Sequence, residues 1–154
     1  MSLINKNQMF ENFLVNDGNA WALAALKKVI ADKNYFNPVY IYGEEGVGKS
    51  HLLNATNNAL LSEQNQAILL SAENLTYHLV ENLTYSEFDY ILIDDLNQMP
   101  KDDVLEEKLV KLIEANKKQF IISSTVAPNS LEVSSKLQEW LQWGLTTSIV
   151  SENQ

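Results

Sequence analysis

Short apolar runs alternate with amphipathic stretches along the whole chain. Between the runs, apolar residues recur at helical spacing, and cap residues such as Asp102 or Asp103 precede some of these stretches. Unbroken apolar strands separated by helices are typical of a parallel sheet with helices packed against it. The pattern predicts strands over 39–42, 67–70, 90–93, 120–122 and 145–150, and helices over 17–33, 49–61, 73–82, from about 102 onward and over 134–141. We therefore expect one α/β domain with a mostly parallel five-stranded sheet flanked by helices.

The charge composition narrows the classes of protein that fit this pattern. The chain has 154 residues, with 11 lysines, no arginine, 20 acidic residues, no cysteine and a net charge of −9. Without cysteine it has neither disulfides nor a thiolate zinc site, which is typical of a reducing compartment. No apolar run reaches the ~20 residues that cross a bilayer, and the acidic balance disfavours duplex DNA, whose phosphates are bound mainly by Lys and Arg. We expect a cytoplasmic protein that has no membrane contact and does not bind duplex DNA directly.

A phosphate-binding motif lies between the first predicted strand and the helix that follows it. Residues 43–50, GEEGVGKS, fit the pattern G-x-x-x-x-G-K-[ST]. Glycines allow successive backbone N–H groups to surround phosphate oxygens, Lys49 supplies positive charge to the β and γ phosphates, and Ser50 offers a hydroxyl to Mg²⁺. The nucleotide-binding candidates are Gly43, Gly46, Val47, Gly48, Lys49, Ser50 and His51, the last of which fits equally well as a packed helix residue. Glu44 and Glu45 weaken the affinity for a triphosphate if they face it, and the sequence leaves their direction open.

Two acidic residues follow the third predicted strand directly. Asp94 and Asp95 lie at the carboxyl end of a parallel strand, where open α/β sheets place their ligands. Asp94 is the candidate to hold Mg²⁺ together with Ser50, and Asp95 is the candidate to polarise an attacking water. Ser123, Ser124 and Thr125 end the fourth strand, where they could reach the γ-phosphate or its water, or serve equally well as ordinary capping residues.

The tryptophans are expected to be structural. Trp21, Trp140 and Trp143 have no stripe of lysines beside them in the sequence, which a stacking platform for single-stranded nucleic acid would require. Aromatic side chains of this size usually bury most of their surface, so we expect all three in the core.

Five short segments occur in an order that is specific as a set. They are residues 9–15 (MFENFLV), 37–43 (NPVYIYG), 48–53 (GKSHLL), 91–96 (ILIDDL) and 143–145 (WGL). Together they resemble the AAA+ core of the bacterial DnaA initiator family and, within it, the shorter Hda-type regulators. The resemblance implies a single AAA+ core over 9–150 with tails at 1–8 and 151–154. It also implies that the core binds ATP or ADP with Mg²⁺, and that the backbone of Phe13, Leu14 and Val15 flanks the adenine.

The chain departs from the pattern of that family at three points. Trp140 stands where the family carries its arginine finger, and only residues 85–89 precede the third strand, where initiators carry a DNA-contacting insertion. The chain also ends at Gln154, before the helical lid of the family. Because an arginine finger accelerates turnover by roughly 10³–10⁵, the resemblance implies a core that lacks the lid and hydrolyses little ATP alone.

These features favour a regulatory protein of chromosomal replication initiation, which binds nucleotide and docks to another AAA+ or replisome subunit. The resemblance implies the DnaA initiator, the sliding clamp or the replicative helicase as the partner. Two alternatives stay open at the level of sequence. One is a competent small P-loop ATPase that closes its own site, and the other is an interaction module whose loop no longer binds nucleotide.

Overall fold

The sheet has five parallel strands, as the sequence predicts. The computed structural model describes residues 8–150. The strands lie in the order β2-β3-β4-β1-β5, and every neighbouring pair is parallel. Their bounds are β1 (Val39–Tyr42), β2 (Ala67–Ser71), β3 (Tyr90–Asp94), β4 (Gln119–Ser124) and β5 (Leu145–Ser148). The prediction of the fold class is confirmed, and β5 ends two residues earlier than the apolar pattern indicated.

Five helices flank these strands in the described part of the chain, and three of them begin at a side-chain cap. Asp102 accepts hydrogen bonds from the amides of Val104 and Leu105, and the Ser134 hydroxyl accepts one from Leu137. Such caps satisfy backbone N–H groups that have no partner in the first turn. The helices are α1 (Ala20–Ala31), α2 (Lys49–Ser62), α3 (Tyr77–Thr84), α4 (Asp103–Glu114) and α5 (Ser135–Leu141). Single 3₁₀ turns lie at Phe10–Asn12, Ala72–Asn74, Leu96–Gln98 and Pro128–Ser130.

The prediction of a helix over 73–82 is wrong at its start. The chain forms the 3₁₀ turn Ala72–Asn74 first, and α3 begins only at Tyr77. The reason is local, because the Thr76 side chain accepts a hydrogen bond from the Leu79 amide and so fixes the cap of α3 at residue 76.

Both faces of the sheet are buried, which explains why its strands carry unbroken apolar runs. One face packs against α3, α4 and α5, and its strand residues include Tyr40, Ile91 and Phe120. The other face packs against α1 and α2, and its strand residues include Ile41 and Leu92. Side chains therefore alternate between two apolar layers along each strand, and polar residues collect where the strands end.

The carboxyl ends of the strands meet at one edge of the sheet. Because β4 lies between β1 and β3, the residues that follow all three of these strands come close together there. This is the crevice in which open α/β sheets bind their ligands. None of the helices described between residues 8 and 150 is both long enough and apolar enough to cross a membrane.

Two of the three tryptophans are not in the core, so that prediction is wrong for them. The side chains of Trp21 and Trp143 are 65% and 71% exposed. Trp140 is half-buried against the α3–α5 side of the core, and its ring centroid lies 5.4 Å from that of Trp143. Nothing in the spacing of these residues distinguishes an exposed aromatic side chain from a buried one.

Candidate nucleotide-binding site

The loop between β1 and α2 leaves the start of a long helix open. Gly46 and Gly48 have φ values of 84° and 107°, which place both in the left-handed region. Glycine adopts this conformation without steric cost, whereas other residues rarely do. Gly48 is also the N-cap of α2 and offers no side-chain acceptor to the first-turn amides. These N–H groups and the positive end of the helix dipole form a site suited to an anion.

Lys49 is folded back into this loop. Its Nζ donates hydrogen bonds to the carbonyl oxygens of Gly43 and, at 2.8 Å, of Glu44. Burial lowers the pKa of the ammonium group, and the nearby carboxylates of Asp95 and Asp94 oppose this effect. Neutral carbonyls bind an ammonium group less strongly than a phosphate does, so an arriving phosphate group is the better partner for Lys49.

Ser50 and Asp94 lie side by side, although 44 positions separate them in sequence. The Ser50 hydroxyl donates to Asp94 Oδ2 at 2.7 Å. The Ser123 hydroxyl donates to the other oxygen, Oδ1, and itself accepts a hydrogen bond from the Asp95 amide at 2.9 Å. Asp94 is therefore buried and held in one orientation by two hydroxyl groups. A serine hydroxyl beside an oriented carboxylate is the set of hard oxygen donors that Mg²⁺ prefers, so these residues fit that ion.

Asp95 turns the other way, toward the open cavity. Its backbone has φ 57°, in the left-handed region, which separates its side chain from that of Asp94. Burial raises the pKa of the Asp95 carboxyl, and the neighbouring charge of Asp94 adds to this. The two acidic residues thus differ in role, because one carboxylate is bound by hydroxyls and the other lines the site.

One cavity of about 300 Å³ joins these groups. It is lined by Gln8, Glu45, Gly46, Gly48, Lys49, Ser50, His51 and Asp95. Glu45 therefore lies at the site, and its exposed carboxylate faces solvent as well. Of the predicted site residues, the cavity brings Gly46, Gly48, Lys49, Ser50 and His51 together with Asp95, whereas Gly43, Val47 and Asp94 are not among its lining residues.

The segment before α1 packs directly on the phosphate loop. His51 Nε2 lies 2.9 Å from the carbonyl oxygen of Met9 and 3.0 Å from Oδ1 of Asn12. The ring of Phe13 meets that of His51 edge to face, with centroids 5.2 Å apart. A Cβ added to Gly48 would lie 3.1 Å from the Phe13 ring. His51 thus joins α2 to this segment, and Asn58 of α2 also donates to the carbonyl oxygen of Gln8 at 3.0 Å.

Leu14 and Val15 continue the segment past Phe13 with exposed side chains. They are 85% and 55% exposed, respectively. The carbonyl oxygen of Leu14 accepts a hydrogen bond from Asn19 Nδ2 at 3.0 Å, which fixes the backbone at the start of α1. Phe13 is therefore the residue of this trio that contacts the loop, and the side chains of Leu14 and Val15 lie outside the core.

Ser124 and Thr125 are joined to a residue that the sequence did not single out, Asn97. Asn97 Oδ1 accepts a hydrogen bond from the Thr125 amide at 3.1 Å and lies 3.4 Å from the Ser124 hydroxyl. Ser124 is completely buried, beside the hydroxyl of Tyr40, whose pKa burial raises to about 12. The feature of the sequence that could have indicated Asn97 is an amide side chain three residues after Asp94, in the 3₁₀ turn that follows β3.

The contact of Ser123 with Asp94 was not predicted either, although Ser123 was a candidate for the γ-phosphate. Ser123 was one of three hydroxyl residues at the end of β4, and nothing in the sequence separated it from Ser124 and Thr125. The register decides between them, because Ile122 pairs with Ile93 and Ser123 then meets the strand end that carries Asp94.

This fold and the loop at residues 43–50 define the chain as a P-loop core of the AAA+ type. The family described as the bacterial DnaA ATPase domain matches residues 4–148. The chain belongs to this family. Its members include the replication initiation ATPase domain of DnaA.

Individual relatives agree with this assignment. The chromosomal replication initiator protein DnaA of Streptococcus uberis is 32% identical over 165 residues, which cover 95% of this chain and 37% of that protein. AMPPCP-bound DnaA from Aquifex aeolicus superposes with a TM-score of 0.88 at 27% identity, over 99% of this chain and 52% of that one. A replication initiator DnaA bound to AMPPCP and single-stranded DNA gives a TM-score of 0.89 at 27% identity, with the same coverage. The chain thus spans little more than a third of the length of the curated relative it matches.

Proposed function

We propose that this chain binds ATP or ADP, together with Mg²⁺, at the loop of residues 43–50. The observation that carries the proposal is the convergence of Lys49, Ser50 and Asp94 at the open start of α2. The similar DnaA structures that contain AMPPCP support it. We further propose that residues 9–150 form one nucleotide-binding core, with short tails at 1–8 and 151–154.

The roles of the individual residues follow from their positions. Lys49 would leave the loop carbonyls to bind the phosphates, and the amides of Gly46, Val47 and Gly48 would surround them. Ser50 and Asp94 would hold Mg²⁺, which, when bound, neutralises charge on the phosphate oxygens. Asp95 would orient a water, and Asn97, with Ser124 and Thr125 behind it, would position the end of β4. The backbone of Phe13, Leu14 and Val15 would flank the base.

The biological role we propose is regulation of replication initiation in the cytoplasm, by docking to another AAA+ or replisome subunit. Membership of the DnaA ATPase domain family supports the link to replication. The net charge of −9 favours a protein partner over unaided binding to duplex DNA. The partners we propose are the DnaA initiator, the sliding clamp or the replicative helicase, and an affinity capture from the source cell with and without ATP tests all three. Capture of none of them would contradict this role.

We expect this chain, alone, to hydrolyse ATP negligibly. The sequence contains no arginine, and Trp140, at the position of the family's finger, packs half-buried against the core. An arginine in trans contributes roughly 10³–10⁵ to turnover in related mechanisms, so a site without one should turn over far more slowly than about once per minute. The measurement is phosphate release at saturating MgATP, with Asp95→Asn as the background control.

Two outcomes of that assay would favour other functions. Steady hydrolysis above about one turnover per minute that disappears in Asp95→Asn would identify a competent small ATPase. Stimulation only when a partner protein is added would identify a composite site, in which the partner supplies the arginine.

The contact between Phe13 and the loop provides a structural test of the site. Gly48→Ala is expected to weaken ADP binding about tenfold more than Gly46→Ala does. Both positions have positive φ, so each substitution costs about 1–2 kcal/mol of backbone strain. Only at Gly48 does the new methyl group also meet the Phe13 ring, since nothing lies within 4 Å of a Cβ at Gly46. The affinities are measured by fluorescence of a labelled ADP, and equal losses in the two variants would refute the packing of Phe13 on the loop.

A further inference from the structure

A band of aromatic side chains extends from the amino ends of β1 and β5 to the first turn of α1. We call Trp21, Tyr35, Phe36 and Trp143 the aromatic band. Phe36 lies just before β1 and Trp143 just before β5, so both are at the amino ends of parallel strands. Trp21, Tyr35 and Trp143 are each more than half exposed. Tryptophan and tyrosine are among the side chains that contribute most binding energy at protein interfaces. Three of them exposed on one surface therefore indicate that this surface binds a partner.

The aromatic band borders two adjoining clefts that share Phe36 as a wall. The first, which we call the apolar cleft, has a volume of about 110 Å³ and is lined by Trp21, Ala24, Ala25 and Phe36. The second, the amide cleft, has a volume of about 270 Å³. It is lined by Asn34, Tyr35, Phe36, Asn37, Asn116, Trp143 and Gly144. One cleft therefore suits an apolar side chain, and its neighbour suits polar groups between aromatic walls.

The backbone behind the band is held rigidly. The buried side chain of Gln119 donates to the carbonyl oxygen of Phe36 at 2.7 Å and accepts from the Asn34 amide at 2.7 Å. Asn37 Oδ1 accepts from the Phe120 amide at 2.8 Å, and its Nδ2 donates to the carbonyl oxygen of Lys118 at 2.8 Å. The clefts are thus fixed to the start of β4, and binding need not include the entropy cost of ordering them.

Three lysines and two acidic residues lie close to the amide cleft, which leaves a small excess of positive charge there. Lys28 Nζ lies 4.4 Å from the centroid of the Tyr35 ring, and Lys33 Nζ donates to the carbonyl oxygen of Lys117 at 2.9 Å. Asp32 and Asp89 lie at 4.0 Å and 3.7 Å from Lys28 and Lys33, in solvent-exposed pairs that are worth little. Cationic side chains therefore border the band in a chain whose net charge is −9.

We propose that the aromatic band is a docking site for an extended peptide segment of a partner protein. The segment would place one branched aliphatic side chain in the apolar cleft and carry acidic residues next to it. The small apolar cleft suits an aliphatic side chain better than a nucleobase, whose edges are polar. The acidic charge of the whole chain and its lack of arginine also oppose a nucleic acid ligand. An acidic peptide would instead meet the positive charges of Lys28, Lys33 and Lys117.

The test uses the full chain and a fluorescein-labelled peptide, EDELIPEDE, followed by anisotropy at low salt. We expect saturable binding with a Kd of the order of 100 μM, at least about threefold weaker at roughly 300 mM salt. Replacing the two aliphatic residues of the peptide by glycine should abolish binding. Because neither cleft shares a lining residue with the cavity at the phosphate loop, saturating ATP should leave the Kd unchanged. Loss of nucleotide binding in Lys49→Ala should not affect it either, so the two proposals fail independently.

Two variants of the chain test whether the peptide binds in the clefts. Ala24→Glu puts a carboxylate into the apolar cleft from an exposed helix position, and Trp143→Ala removes an exposed wall of the amide cleft. Each should weaken binding at least about fivefold. Tyr85→Ala, which removes an aromatic side chain that is 83% exposed outside both clefts, should change nothing. Thermal melts of all three variants show whether they fold.

Three results would overturn the proposal. The first is no saturable binding up to about 2 mM peptide, and the second is equal binding of the original and the glycine-substituted peptide. The third is binding of a short oligothymidine, if Trp143→Ala weakens that binding more than it weakens binding of the peptide. The last result would make the aromatic band a stacking platform for nucleic acid. If Ala24→Glu failed to fold, the glycine-substituted peptide would still decide the question.

Discussion

Lys49→Ala is expected to lower the affinity for ATP and for ADP at least about 100-fold, or by about 2.7 kcal/mol. Lys49 is the only cationic side chain that lines the cavity at the phosphate loop in the described part of the chain. Its ammonium group is buried and donates to two neutral carbonyl oxygens, which a phosphate can replace as the stronger partner. Titration calorimetry with each nucleotide measures the effect.

The matched control for this substitution is Lys136→Ala. Lys136 is exposed on α5, outside that cavity, and its replacement removes the same charge from the chain. It should change the affinity less than about twofold. If Lys49→Ala bound nucleotide within about threefold of the unaltered chain while remaining folded, the loop would not be the site of nucleotide binding.

Gly144→Ala is expected to destabilise the fold by about 2–3 kcal/mol, although it adds only one methyl group. A Cβ at this position would collide with the carbonyl oxygen of Pro38 and lie 2.6 Å from the carbonyl carbon of Asn37. Both obstacles are backbone atoms at the entry to β1, and the Leu145 amide donates to the same Pro38 oxygen at 3.0 Å. Neither can move without separating β1 from β5. The melting temperature should fall by about 5–10 °C.

The neighbouring substitution Trp143→Ala serves as the control for stability. Its side chain is 71% exposed, so its removal should lower the melting temperature by less than about 2 °C. A Gly144→Ala variant that melted together with Trp143→Ala would show that the close approach of these two segments is wrong.

The close approach of Gly144 to Pro38 gives a physical reason for two short motifs that lie far apart in the sequence. The Asn37-Pro38 pair enters β1, and the Trp143-Gly144 pair enters β5 near the other end of the chain. The parallel pairing of β1 with β5 brings them together, and the absence of a side chain at residue 144 permits the approach. The resemblance to the DnaA family singled out both pairs but not their contact.

The strands could be predicted because burial on both faces makes them apolar throughout. Ile91 and Leu92, for example, face opposite layers, yet both are completely buried. The start of α3 could not be predicted from the same periodicity, because the side chain of Thr76 decides it locally. The exposure of Trp21 and Trp143 depends on the tertiary positions of α1 and β5, which no local pattern contains.

The site was predictable where topology alone determines it. Lys49 and Ser50 follow β1, Asp94 ends β3, and parallel strands bring these ends to one edge. The side-chain partners at that edge were not predictable. Ser123 rather than Ser124 binds Asp94, and Asn97 joins the ends of β3 and β4, because the register of β3 on β4 sets which hydroxyl faces which carboxylate.

The central claim is that this chain binds nucleotide at the phosphate loop. The most direct test is a calorimetric titration of the chain with ADP and with ATP, each with and without Mg²⁺. We predict one site per chain, a Kd in the micromolar range, and tighter binding of ATP when Mg²⁺ is present, since Ser50 and Asp94 are already paired to receive it. The absence of heat at millimolar nucleotide, with the chain folded, would contradict the account and leave an interaction module whose loop does not bind nucleotide.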